Sequence, residues 1–435
     1  MKRMMALLLA AVLGLGCMAC AEDTAPVDTQ PVQRDTALTV VTCYGGDDGN
    51  RSNFVTAVKA YEQATGVTVY DHSAASNEEW KTKVLTDFMT GSEPDVLFYF
   101  TNADADPFIN AGKVVSIEEI RRVYPDYATN MKESMMAAAA DGFHYAVPST
   151  GFWETMFVNK AVLDACGIPV PGPDYTWEQF LLDCESIKQA GYTPIACSLY
   201  EIPHYWFEFT VMNNGSLENH LEVPTLDAEG NLRDDEVSRK WIAALEDMKL
   251  LYDAGFFPKN TLTATDAETS AMFGDGQAAF LIDGSWKVGY FTRNYPDRLD
   301  DFVVSFVPSK GQRRATQAIG GISMGYFITR KAWDDPEKRE ASVEFVFHMT
   351  SEEILSTFVT TEVTALVNGA VPTGLNTIQQ SAADAIVELT DVVGAVQDAI
   401  SGEAKSDLFV NIQKVMMGQM TAAEAVESAM RHNGI

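Results

Sequence analysis

The stretch LTVVTCYGG, Leu38–Gly46, decides the class of fold. It is an apolar run with β-branched residues and a glycine stop, which reads as a buried strand. The period then changes. Phe54, Val58 and Tyr61 fall at helical spacing, and Gly66 supplies a stop. VTVYD, ending at Asp71, reads as a second strand. Asn77 is placed to cap a second helix with Trp80, Val84, Leu85 and Phe88 on its inner side and Gly91 at its end. DVLFYF, ending at Phe100, reads as a third strand. Strands alternating with helices in this order imply a mostly parallel sheet covered by helices. Ligands bind such sheets at the carboxyl ends of the strands. Here those loops are Gly45–Asn50 and Thr101–Asp106, both rich in Asp and Asn.

Outward from this stretch, toward the N-terminus, Ala21–Ala37 carries almost no large apolar residue and reads as a flexible tether. Before it, Lys2 and Arg3 precede an apolar segment, Met4–Gly16, too short for the ~20 residues of a membrane span. The segment ends in GLGCMACAED, which looks like a bacterial lipoprotein signal. Cys20, after Ala19, is the favoured lipid site, and Cys17, after Gly16, is the alternative. Residues 1–19 are then a signal peptide and 20–37 a lipidated tether, holding the protein outside the cytoplasmic membrane. A redox or zinc reading of C-x-x-C is poor inside a signal peptide. Cys43, Cys166, Cys184 and Cys197 are expected as buried thiols.

The whole chain has 435 residues, 46% hydrophobic and 21% charged, which suits two or three globular domains. A formal net charge of −30 repels phosphate backbones and argues against nucleic acid as a partner.

Downstream, FHYAVPSTGFWETMFVNK reads as the exit from the first lobe. A helix follows Thr176 in the arrangement Thr-x-x-Gln and ends at Gly191. Then come a dense aromatic stretch, PIACSLYEIPHYWFEFTVMNNG, a polar turn at LDAEGNLR, and an amphipathic helix, Ser238–Gly255. FGDGQAAFLIDGSW, Phe273–Trp286, reads as a helix end, a buried strand and a Gly-Ser turn into tryptophan. AIGGISMGYFITRKAW is β-like, and the chain is mainly helical from Pro336.

Catalytic signatures fail on context. GDGQAA matches a dinucleotide loop, but its glycines precede the strand instead of following it. GISMG offers Ser323 as a nucleophile, but a strand follows where a helix is required. NADAD at Asn102 has Pro107 and Lys113 where a calcium loop needs Gly and Glu. The histidines are scattered, so neither a metal nor a cofactor is expected.

What remains is aromatics beside glycines and carboxylates: Phe152, Trp153 and Glu154; Glu201, His204, Tyr205 and Trp206; Asp283 with Trp286. A sugar offers C–H faces to aromatic rings and hydroxyls to carboxylates, so a concave site with both suits it. Trp80, Trp177, Trp241 and Trp333 sit at helical spacings and read as packing. For Trp206 and Trp286 packing and ligand contact both stay open.

The sequence resembles the extracellular solute-binding proteins of bacterial ABC importers, the class that includes maltose-type carbohydrate binders. The resemblance runs through PDVLFYF, AGKVVSI, YAVPSTGFWETMFVNKAVLDACGI, YTWEQF, FGDGQAAFLIDGSW and GGISMGYFITRKAWDDPEKREASVEFVFHMTSEE. It implies a two-lobed α/β fold of type II with the ligand between the lobes and a hinge that closes them. The crossings are expected at Val147–Gly151 and Val304–Pro308. Lobe 1 is then 38–148 plus 308–350, and lobe 2 is 149–307 plus 351–435.

The resemblance also implies ligand contacts from Asp47, Asp48, Asn102, Asp104, Phe152, Trp153, Glu154, Glu201, Tyr205, Trp206 and Asp283, stacking by Trp286, and a glycine loop at Gly320 and Gly321. The function implied is capture of a mono- or oligosaccharide by a monomer and its delivery to permease subunits, without catalysis. Two rivals remain: a binder of another solute such as a polyamine, whose site would also be acidic and aromatic, and a secreted glycoside hydrolase.

Overall fold

The structure, a computed structural model, describes residues 34–46, 48–149, 151–358, 365–367 and 374–433. Cys17, Cys20, the tether as far as Gln33, and Asp47 lie outside the described residues. Eleven strands occur among the described residues: β1 (Ala37–Val41), β2 (Thr68–Asp71), β3 (Val96–Phe100), β4 (Ala146–Pro148), β5 (Phe152–Asn159), β6 (Thr193–Ala196), β7 (Ala278–Gly284), β8 (Phe302–Ser305), β9 (Gln317–Gly321), β10 (Met324–Ile328) and β11 (Asp391–Val393). They form two sheets, each with its own core. One runs β2-β1-β3-β10-β4; the other runs β11-β9-β5-β7-β6, with β8 also on β5.

The first sheet follows from the alternation read above. β1 pairs in parallel with β2 and β3, and β10 enters antiparallel between β3 and β4. Helix ends obey local chemistry. The Asn77 side chain accepts the Trp80 N–H at 2.8 Å, and that of Thr176 accepts the Gln179 N–H at 3.2 Å, each satisfying an orphan donor of the first turn. Gly66 and Gly91 end their helices in the left-handed region, at φ 73° and 76°, which glycine adopts without strain.

The second sheet is built on β5, buried on both faces. Met156 and Val158 face one core with Trp206 and Trp241, while Trp153 and Phe157 face another with Phe273 and Phe291. Period-two alternation divides them. One edge of β5 takes β7. The other is shared, with β9 at Phe152 and Trp153 and β8 from Met156 onward.

The chain crosses between sheets from β4 to β5, within the expected Val147–Gly151. The expected crossing at Val304–Pro308 lies elsewhere. β8 belongs to the second sheet, with Val304 opposite Phe157. Pro308 stays there too: its carbonyl accepts from Asn213 and from buried Arg313. The passage to the first sheet falls between Gly321 of β9 and Met324 of β10. The first core also extends past 350, because Leu355, Phe358 and Leu366 pack in it. A strand ended by proline reads alike whether the chain crosses or turns back.

The cysteines also divide. Cys184 and Cys197 are buried free thiols, Cys166 is a half-buried one, and Cys43 is buried. Among the described residues no helix is long and apolar enough to cross a membrane.

Candidate functional site

The FGDGQAAFLIDGSW stretch ends a helix at Gly274, runs through β7 and turns at Gly284. Ser285 N–H donates to the Trp153 carbonyl at 2.9 Å, which fixes the turn against β5. The Trp286 ring then folds back over Gly284. A Cβ on Gly284 would fall 2.1 Å from the ring, so no other residue fits beneath it. The half-buried ring meets Phe152 at 6.0 Å and 42°, and Tyr205 at 6.3 Å and 49°. Three aromatics thus form one tilted wall.

Carboxylates stand behind this wall. Glu154 lies on the same face of β5 as Phe152, two residues on. Glu208 lies one helical turn beyond Tyr205, on the helix His204–Asn213. Asp283 sits near the end of β7. Their exposures are 2%, 0% and 1%. Asp283 Oδ1 accepts the Gly284 N–H at 2.7 Å, while Oδ2 has no hydrogen-bond partner and lies 3.5 Å from Lys287 Nζ. Burial pushes Asp283 up to about 7, although Lys287 pulls it down. Burial raises Glu154 and Glu208 as well, Glu208 further because the Glu154 charge adds to it, and neither oxygen of Glu208 has a hydrogen-bond partner. Lys287 Nζ, held charged by Asp283 and Asp266, is committed to both Asp266 oxygens at 2.9 and 2.8 Å and to Ser270 Oγ at 2.7 Å.

The first lobe meets this edge at two places. At one, Arg293 donates to the Asp48 carbonyl, and Gly49 meets Gly289 backbone to backbone. A Cβ on Gly49 would lie 3.1 Å from the Trp286 carbonyl and 3.2 Å from Gly289. Burial lifts the Asp48 carboxyl to about 6. At the other, Asn102 hydrogen-bonds Asp398, and Asp104 lies 3.2 Å from Lys81 and 3.8 Å from Lys405. His204 stacks on Phe409 at 5.5 Å beside the same two lysines. Burial, then those lysines, lowers its pKa to about 3, so the ring is neutral.

The structure therefore brings together Phe152, Glu154, Tyr205 and Trp286, with Asp48, Asn102 and Asp104 on the facing rim; Asp283, paired opposite Thr155, lies on the other face of the sheet beside Lys287. Gly320 packs on β5, where a Cβ would fall 2.5 Å from the Phe152 carbonyl. Gly321, at φ 148°, has open space above it. Three other expected contacts sit apart. Trp153 is buried with Phe157 and Phe291 in the second lobe's core. Trp206 is 1% exposed, stacked on Phe180 at 5.6 Å. Glu201 is exposed, and its Oε2 accepts the Asp266 N–H at 2.7 Å at the start of the helix Asp266–Gly274.

Glu208, Lys287, Asp398 and Lys405 were not anticipated. Glu208 had a signal: an acid inside HYWFEFTVMN, an otherwise almost apolar helix. The aromatic stretch around it drew the reading to its rings.

Two α/β lobes joined by crossing strands, with polar and aromatic groups along their seam, define a type II periplasmic-binding-like protein. The model of the bacterial extracellular solute-binding protein family matches residues 56–385, and the chain belongs to that family. Three solved structures share its fold. A chitin oligosaccharide binding protein is 21% identical with TM-score 0.78, over 92% of this chain and 98% of that one. The solute-binding protein RafE in complex with raffinose is 16% identical with TM-score 0.72, over 92% and 100%. Maltose-bound MalE3 of T. maritima is 17% identical with TM-score 0.71, over 91% and 98%. Among curated proteins none matches the sequence.

Proposed function

We propose that this chain is the substrate-binding subunit of an ABC importer that captures a mono- or oligosaccharide between its lobes and hands it to the permease. The observation that carries the reading is the wall of Phe152, Tyr205 and Trp286 with the buried Glu154 on the same face of the sheet as Phe152. Rings take the C–H faces of a pyranose, and carboxylates accept from its hydroxyls. Asp48, Asn102 and Asp104 supply polar groups from the other lobe, Gly321 leaves open space for a ligand to approach the backbone, and closure shapes a surface from both lobes for the permease. Chitin oligosaccharide, raffinose and maltose, the ligands named for the three structural neighbours, agree with a saccharide.

Catalysis has no part in this reading. Glycosidase carboxyls flank a scissile bond from the two sides of one cleft, whereas Glu154 and Asp283 are 2% and 1% exposed and face opposite sides of their sheet. Acylation of Cys20, with Cys17 as the alternative, would hold the monomer at the outer face of the membrane.

A thermal-shift screen against mono- and oligosaccharides tests the ligand, since binding raises the melting temperature by linkage. A saccharide-dependent rise is expected, and its absence across the panel sinks the assignment. Turnover of a bound glycoside that stops in Glu154→Gln would overturn the purely binding role. For the anchor, the wild-type chain partitions into detergent and Cys20→Ser stays in the aqueous phase; if Cys17→Ser alone does so, the alternative holds.

A further inference from the structure

The carboxylates behind the aromatic wall outnumber the bases that reach them. Glu154, Glu208, Asp266, Asp283 and Asp398 interact there, against Lys287, Lys405 and Lys81. Lys287 is spent on Asp266, with Asp283 at 3.5 Å, and Lys405 lies 3.8 Å from Asp398 and from Asp104. Every charged neighbour of Glu154 is an acid.

Glu208 is an independent sign. It is wholly buried, and neither of its oxygens accepts from a donor group. Glu154 Oε2 and Asp283 Oδ2 also lack donors. A folded protein leaves few such groups without a reason. Neutral hydroxyls would satisfy the lone pairs and leave the buried negative charge uncompensated. A cation would satisfy both, and the three rings in front offer π faces to the same charge.

The geometry points to a solute that carries a protonated amino group, seated between the Phe152–Tyr205–Trp286 wall and the Glu154–Glu208 carboxylates. Resting on the saccharide reading, this makes the substrate class an amino sugar with a free amine. The ammonium donates to Glu208 and Glu154, and the pyranose face lies on Trp286. An N-acetylated or unsubstituted sugar fits the rings and offers hydroxyl donors but brings no charge to compensate the carboxylates.

Isothermal titration of the purified protein with four probes tests this: a β-1,4-linked glucosamine disaccharide, its N,N′-diacetyl form, cellobiose and putrescine. The charged disaccharide should bind at least about tenfold tighter than either neutral one at neutral pH, as a desolvated cation over aromatic rings allows. Glu208→Gln should shrink that gap while leaving the ligand-free protein at least as stable as the wild type. Should Glu208→Gln fail to fold, Glu154→Gln carries the same expectation. Neutral disaccharides binding as tightly as the charged one would overturn the cationic assignment and leave the saccharide reading standing. Putrescine binding with no disaccharide binding would do the reverse. Binding of neither amine-bearing probe overturns the cationic assignment outright.

Discussion

Glu119 in the first lobe and Glu208 in the second are the same side chain in opposite surroundings. Glu119 is half-exposed and accepts two hydrogen bonds from Arg330, at 2.7 and 2.8 Å. Those bonds hold its carboxyl below the usual range. Glu208 is fully buried, faces Glu154, and is pushed up by burial and by that second charge. The difference separates two uses of an acid. In the first lobe a carboxylate cements a helix to a strand end. In the second, carboxylates are kept from partners beside a ring that stays half-open. Such a group destabilises the empty protein and is retained where a ligand completes it.

Substitutions can break this contrast, and the largest effect belongs to the rings. Trp206→Ala should cost about 3–5 kcal/mol of stability, because it opens a cavity among Phe180, Trp177 and Phe257. Denaturant titration measures it, and a loss below ~1 kcal/mol would remove Trp206 from the core. Trp286→Ala should instead cost about 2 kcal/mol or more of ligand affinity, with a far smaller drop in melting temperature. Equal affinity in wild type and variant would return Trp286 to packing alone.

The acids give smaller effects of opposite sign. Glu208 has a raised folded pKa, so its folded state favours the proton. Its contribution is whole below the unfolded pKa and is lost as pH rises through the folded value. Glu208→Gln replaces the proton with an amide donor. It should stabilise the ligand-free protein by about 1 kcal/mol at pH ~8 and by little near pH ~4.5. A destabilised variant at the higher pH would mean that the charge is already paired. Glu119 has a lowered pKa, so its contribution is present above the unfolded value and fades as pH falls through the folded one. Glu119→Gln should cost no more than about 1 kcal/mol near neutral pH, reduced by solvent screening, and nothing in acid. A pH-independent loss would point to packing instead of charge.

Much of the fold was legible. Asn77 and Thr176 cap the helices they were read to cap, because capping depends on residues three apart in sequence. The parallel start of the first sheet follows from strand and helix alternation. The site was legible only in part, because it depends on strand parity. Phe152 and Trp153 are neighbours and equally aromatic, yet period two sends one to the wall and the other to the core. Parity shows only once the sheet partners are known. Trp206 and Tyr205 divide likewise on their helix. Asp398 and Lys405 were out of reach for another reason: they come from the far end of the chain, and long-range contact alone places them beside Asn102 and Asp104.

At the seam, Gly49 and Gly289 meet with nothing but backbone between them. The final separation of the lobes is therefore measured by peptide thickness, and no rotamer can adjust it. A methyl group at position 49 would prop the mouth ajar by tenths of an ångström, and a valine by more, like a pebble in a door frame. A protein so propped would still hold its solute against the second lobe. Under the importer reading proposed above, it would offer the permease an altered outline where the two lobes meet.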